Sequence, residues 1–249
     1  MKNAILNITL FLLLGAVAAQ GQALKFAGKT YAFPVVPNTE AWKKLNSHDE
    51  MLRVTEIPDS TLRSMSTDDL LATAMNYPLK WDALAYDNII IGVKRVAAQS
   101  SIFKELFRRP EAADKTLAFY QTLDPNTPKA EWTQEESGMY SLTLSFVESL
   151  LAHPQVITKL GQDQSIVLLQ RLNENHIKMQ SRADLYGGMS QAIPAFVAGK
   201  ILSQQGVNSD QMKQVEVSGF LQGRFTLPSE IAISTIFSAT EHFLTTNKK

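Results

Sequence analysis

The stretch Thr133-Gln134-Glu135-Glu136-Ser137-Gly138-Met139-Tyr140-Ser141-Leu142-Thr143-Leu144-Ser145-Phe146-Val147-Glu148-Ser149-Leu150-Leu151 decides the fold class. Thr133 stands three residues ahead of Glu136, the spacing at which a hydroxyl and a carboxylate cap each other's backbone at a helix start. Behind it Met139, Leu142, Phe146, Val147, Leu150 and Leu151 recur every three or four residues, which predicts one apolar helical face turned to a core.

The same signals run through most of the chain. Ser47-His48-Asp49-Glu50, Ser66-Thr67-Asp68-Asp69 and Asn208-Ser209-Asp210-Gln211 repeat the capping spacing. Pro58, Pro78, Pro110, Pro154 and Pro228 each suit a first helical turn, where the missing backbone donor has no partner to lose. Leu84, Ile91, Val96 and Ala97 after Pro78, and Ile166, Leu169, Leu172 and His176 later, keep the helical period. Gly161 is expected to stop a short helix begun at Pro154, in the left-handed conformation glycine tolerates. Gly187-Gly188 reads as a break before a helix from Met189 to Gln205, with Pro194 a source of a kink near its start. The expected fold is all-α, a multi-helical bundle or irregular stack of short helices. The Pro-rich turn Leu123-Asp124-Pro125-Asn126-Thr127-Pro128 marks a division into two halves, near 124–128.

Upstream the text changes. Lys2, the apolar run Ala4 to Gly15 and the small residues Ala16-Val17-Ala18-Ala19 have the three parts of a secretory signal peptide, expected over 1–21. The run is shorter than the roughly 20 residues that span a bilayer. Residues 22–38 carry Gly28, Pro34 and Pro37 among Thr30, Tyr31, Phe33, Val35 and Val36, which predicts an extended arm with a short strand, leading into a helical domain over 39–249. The expected destination is outside the cytoplasm, periplasmic or extracellular. The chain has no cysteine, which rules out a lipid anchor on an N-terminal Cys and leaves burial rather than disulfides to stabilise the fold. No transmembrane segment is expected after cleavage. Lys and Arg number 24 against 24 acidic residues, with no basic run longer than Lys43-Lys44 or Arg108-Arg109, so nucleic acid is not an expected partner.

Trp42, Ser47 with Glu50-Met51, Ile57-Pro58, Met65-Ser66-Thr67, Leu70, Asn76-Tyr77-Pro78, Tyr86 with Asn88, and Phe107-Arg108-Arg109 together form a pattern that resembles uncharacterised exported bacterial proteins of Bacteroidetes-like genomes. It covers roughly 37–125 and implies an exported helical domain. It implies no activity and no catalytic residue.

Catalytic signatures are sparse. None of His48, His153, His176 and His242 pairs with another at the spacing of a helical zinc motif, and no metal or other cofactor is expected. The chain has neither a Gly-x-Ser-x-Gly elbow nor a phosphate-binding loop. Asp68-Asp69 and Glu135-Glu136 fall in first helical turns, where the helix dipole favours negative charge without any substrate; Asp82 and Asp87 complete the set of acid pairs. The densest segment is Asn76-Tyr77-Pro78-Leu79-Lys80-Trp81-Asp82-Ala83-Leu84-Ala85-Tyr86-Asp87-Asn88. With Pro78 opening a helix, Trp81, Leu84, Ala85 and Asn88 share a core face, Tyr77 staples the first turn against Trp81 or a neighbour, and Lys80 and Asp82 point outward. The alternative is an aromatic platform for a sugar or peptide using Tyr77, Trp81, Tyr86 and Asn88, the last a mid-helix amide in need of partners.

Three functions follow. The chain is expected first to bind another protein or a cell-envelope component through an apolar groove between helices. It could instead bind carbohydrate or peptide on the aromatic platform, or be a hydrolase whose carboxylates meet only in the fold.

Overall fold

A computed structural model describes residues 25–207, 210, 212–223, 225 and 229–247. The signal segment expected over 1–21, the first residues of the arm, Pro228, and Asn208, Ser209 and Gln211 lie outside the described residues. The described chain is all-α, with no strand among the described residues. The helices run α1 (Glu40–Lys43), α2 (His48–Val54), α3 (Asp59–Ser64), α4 (Thr67–Met75), a 3-10 helix (Lys80–Ala85), α5 (Ile89–Gln99), α6 (Ser101–Arg108) and α7 (Ala112–Gln121). They continue with α8 (Gln134–Leu151), α9 (Pro154–Ile157), α10 (Gln162–Gln180), α11 (Gly188–Gln204), α12 (Val215–Leu221) and α13 (Glu230–Thr246).

The capping signals are realised where their residues are described. Ser47 accepts from Glu50 N–H, and Ser66 with Asp69 and Thr133 with Glu136 close full reciprocal boxes. The helix after the Asn208 signal begins only at Val215. Proline is used differently from the expectation. Pro154 alone takes the first helical position among the described prolines singled out; Pro58 is the residue before α3, Pro110 precedes the cap of α7, and Pro78 leads into a 3-10 helix. Gly161 does not stop a helix. Its φ of −69° is ordinary and its backbone caps the start of α10. The helix expected from Met189 runs Gly188–Gln204 with Pro194 inside it.

The helix α8 is central, touching α5, α7, α9 and α11. From Tyr140 to Leu151 every residue but Leu142 is buried, so the apolar face predicted from spacing is in fact most of the circumference. Serine, threonine and one acid fill the extra positions. The helix α11 is likewise buried from Ala192 to Gly199 and packs on α8, α10 and α13. The 3-10 helix lies so close on α5 that a Cβ on Gly92 would come within 1.9 Å of the Ala83 carbonyl oxygen, so only glycine fits. One apolar cluster contains buried side chains from both sides of 124–128. That turn is itself tied down: Tyr186 Oη donates to Pro125 O at 2.8 Å and Lys178 pairs with Asp124 at 2.6 Å.

The arm, residues 25–38, forms no ladder and alternates as a strand does on either side of Lys29-Thr30, which are both exposed. Phe26, Gly28, Tyr31, Phe33 and Val35 turn inward while their neighbours Lys25, Ala27, Ala32 and Pro34 are exposed.

Short helices leave many unpaired carbonyls at their C-termini. Four of those ends receive cationic side chains from elsewhere in the chain. The Arg109 guanidinium donates to Leu62 O and Arg63 O at the end of α3, and Lys80 Nζ to Met75 O at the end of α4. Lys159 Nζ donates to Phe107 O at 2.5 Å and Arg109 O at 2.7 Å, closing α6; Arg171 donates to Gln121 O and Leu123 O, closing α7. A charge-assisted bond to a helix end combines hydrogen bonding with the dipole's attraction. Arg171→Ala is therefore expected to lower unfolding free energy by about 2 kcal/mol in urea denaturation, with Arg171→Lys recovering part of it.

Candidate functional site

The Asn76 to Asn88 segment is a junction between helices rather than one helix. Tyr77 is buried, its ring edge-on to Phe33 and Phe103 and its hydroxyl 3.2 Å from Thr55 Oγ1. Burial raises its pKa, opposed by hydrogen bonds from Thr55 and Ser100. Trp81 is half-buried with its ring edge-on to Phe146 of α8 at 5.8 Å. Lys80 turns inward, against expectation: its ammonium caps α4, lies 4.8 Å from the Trp81 ring centroid, and is brought down to a pKa of about 8 by burial. Asp82 bonds His48 Nε2 at 2.8 Å, joining the 3-10 helix to α2.

Asn88 is not inside a helix. It is the N-cap of α5, its Oδ1 accepting from Ile91 N–H at 3.0 Å, while its Nδ2 donates to Gly223 O and Phe225 O in the connection between α12 and α13. The four platform candidates thus have separate places. Tyr77 and Asn88 are interior, Trp81 is half-buried, and Tyr86 is exposed beside exposed Leu84. Truncating Trp81 to Ala removes its contacts with Phe146 and Lys80. A loss of about 2–4 kcal/mol is expected, read from thermal or urea unfolding.

Tyr77 also floors a cleft of about 540 Å³. One wall is α2 and its exit, with Ser47, Asp49, Leu52, Arg53, Thr55 and Glu56; the other is the α5–α6 junction, with Gln99, Ser100 and Ser101. The walls come from segments about fifty residues apart, joined at the base by the Thr55 to Tyr77 contact. The hydroxyl of Ser47 is engaged in capping α2, and Thr55 Oγ1 donates to Met51 O and Leu52 O, so both are held in place. Ser100 ends α5 and begins α6, and its side chain makes no cap bond to the first turn of α6. The cleft therefore offers hydroxyl, amide, carboxylate and guanidinium groups over a small apolar base.

The other expected chemistry resolves into structure. Asp68 pairs with Lys115 at 2.7 Å, and Asp69 caps α4 and accepts from Lys29 N–H, which lowers its pKa. Glu136 caps α8. His153 stacks on Phe107 and His176 on Phe237, and burial depresses both imidazoles to about 4. Among the described residues no group of three or more His, Cys, Asp or Glu could hold a metal ion, and no helix is long and apolar enough to cross a membrane.

Sequence reasoning passed over Glu148. It is fully buried on α8, with Oε1 accepting from Tyr120 Oη at 2.8 Å, and Tyr120 in turn accepting from Asn175 Nδ2 at 2.9 Å. Glu148 Oε2 and Asn175 Oδ1 have no protein partner. Burial pushes the Glu148 carboxyl up to about 8, the Tyr120 bond opposing it. An acid flanked by Phe146, Val147, Leu150 and Leu151 was the available signal.

These shifts fix the pH dependence of stability. Glu148 keeps its proton in the fold up to about 8 but ionises near 4.5 once unfolded, so its contribution falls as pH rises across that window. His153 and His176 protonate near 6.5 when unfolded and near 4 when folded, so theirs falls as pH drops from 6.5. Between pH 4 and 8 stability should peak near pH 6.5 in urea titrations, and Glu148→Gln should flatten the fall from 6.5 to 8, its benefit growing from pH 4.5 to 8.

Comparison of the chain with protein-family models, with curated proteins and with solved structures finds no match.

Proposed function

We propose that this chain is an exported binding protein, periplasmic or extracellular, whose partner is another protein or cell-envelope component that seats a short polar segment in the cleft over Tyr77. The observation that carries this reading is the cleft's lining: hydrogen-bonding groups held by helix caps, with a volume inside the range of small-molecule and peptide sites. Binding of this kind needs rigid groups on two walls, and α2 and the α5–α6 junction supply them. The expected apolar groove is replaced in this reading by a mostly polar one.

A hydrolase reading is favoured by one observation. Asp49 on α2 and Glu56 just beyond its end line the same cleft, and a pair of carboxyl groups in one cleft is what glycoside hydrolysis requires. A general acid keeps its proton at neutral pH through burial or a neighbouring charge. Both side chains here are exposed, which ranks this reading second.

Peptide and glycan arrays probed with the intact chain and with Ser101→Trp, which fills the cleft, separate the readings. A ligand of the cleft should lose at least about tenfold affinity in the variant while the melting temperature holds. Ligands that bind both proteins equally would move the site elsewhere. Turnover of an arrayed glycan abolished by Asp49→Asn or Glu56→Gln would favour the hydrolase. N-terminal sequencing of protein recovered outside the cytoplasm should begin between Ala19 and Ala23; a start at Met1 would defeat export with cleavage.

A further inference from the structure

We propose that the junction of α7, α8 and α10 is a binding site for one internal water molecule, held between Glu148 and Asn175 as a fixed part of the core. Three side chains that meet there are fully buried: Tyr120 of α7, Glu148 of α8 and Asn175 of α10. They form a chain with the Tyr120 hydroxyl at its centre, donating to Glu148 Oε1 at 2.8 Å and accepting from Asn175 Nδ2 at 2.9 Å. Each outer group has a second polar atom, Glu148 Oε2 and Asn175 Oδ1, and both are enclosed without a protein partner. A buried polar atom left unbonded forfeits its hydration for nothing, and internal water is what satisfies such atoms where the protein does not.

The chemistry of the two ends selects the occupant. With Oε1 taken by the Tyr120 proton, a neutral Glu148 carries its own proton on Oε2 and needs an acceptor, while Asn175 Oδ1 needs a donor. Turning the Asn175 amide over keeps the mismatch and exchanges its ends. Tyr120 then donates to Oδ1 and accepts the Glu148 proton, leaving Oε2 in need of a donor and Nδ2 in need of an acceptor. In both arrangements one end lacks a donor and the other an acceptor. Water gives one proton and accepts one, so it serves either. A metal cation has nothing to give, and an ammonium has nothing to accept with. Burial keeps Glu148 neutral up to a pH of about 8, so this mismatch is the one present at neutral pH. Both orphan atoms belong to groups bonded to the same hydroxyl, and a single water closes the chain into a ring. The helices α8 and α10 each pack on α7 and on α11 but less closely on one another, and the water is their direct polar link.

A high-resolution crystal structure of the intact chain tests the site directly. One ordered peak about 2.6–3.2 Å from both Glu148 and Asn175 is expected. No peak, two peaks each touching one residue, or a direct bond between Glu148 and Asn175 would overturn the proposal. In solution, oxygen-17 relaxation dispersion counts long-lived internal waters. That count should fall by about one when Tyr120→Phe, Glu148→Met and Asn175→Leu together replace the chain with apolar groups. Glu148→Gln offers Tyr120 an oxygen and the water an N–H, so it should leave the count unchanged. An unchanged count in the triple variant, or a lower one in Glu148→Gln, would equally sink the idea; if the triple variant does not fold, the crystal and Glu148→Gln decide.

Discussion

The fold depends on neutralising the C-terminal ends of its short helices. The described residues are divided into fourteen helices, which exposes many more orphan carbonyls than three or four long ones would. Local solutions exist, and this chain uses some: Asn76 Nδ2 returns to Ala72 O, and threonine hydroxyls such as Thr122 Oγ1 bond within their own last turn. At α3, α6 and α7 the cap comes from a cation about fifty residues ahead. Each such side chain is at once a cap and a fastener between elements, because it can reach the carbonyls only when two helices are docked. That explains how a body with little long-helix packing in its first half holds a single arrangement.

The second half relies on burial instead. The helices α8 and α11 are enclosed nearly all round, and the consequence is that polar side chains are enclosed with them. Thr143 and Ser149 settle their hydroxyls on their own helix, and Ser141 pairs with Ser190 of α11. Glu148 cannot, and the bond from Tyr120 leaves its second oxygen without a protein partner. A neutral carboxyl is the form such a site tolerates. Stability at neutral pH is thereby lowered by a group that does not line the cleft.

Features written locally in the sequence were legible. The capping boxes at Ser66 and Thr133 involve partners three residues apart, and the helical period of α8 and α10 is a property of one element. Features written between elements were not. Asn88 directly precedes Ile89-Ile90-Ile91, a capping signal in itself, yet Pro78 suggested that the helix had already begun. Lys80 reads as an outward charge because its target carbonyl belongs to the preceding helix. Gly161 is compatible with either end of a helix, and only the neighbouring elements decide which. The cleft was invisible for the same reason: Ser47 to Glu56 and Gln99 to Ser101 carry no shared pattern, and the fold alone makes them facing walls.

Asn88 carries a consequence for the order in which the molecule can assemble. Its amide group bonds the chain 135 and 137 residues further on. Helical proteins built from near neighbours fold fast because each contact closes a short loop; a contact of this span must wait for nearly the whole chain and carries a larger closure entropy. The start of α5, which packs against both the 3-10 helix and α8, is therefore completed only after the segment between α12 and α13 has been made. During synthesis the first two hundred residues can be helical without being finished, and the last connection before α13 is what sets them in their final positions.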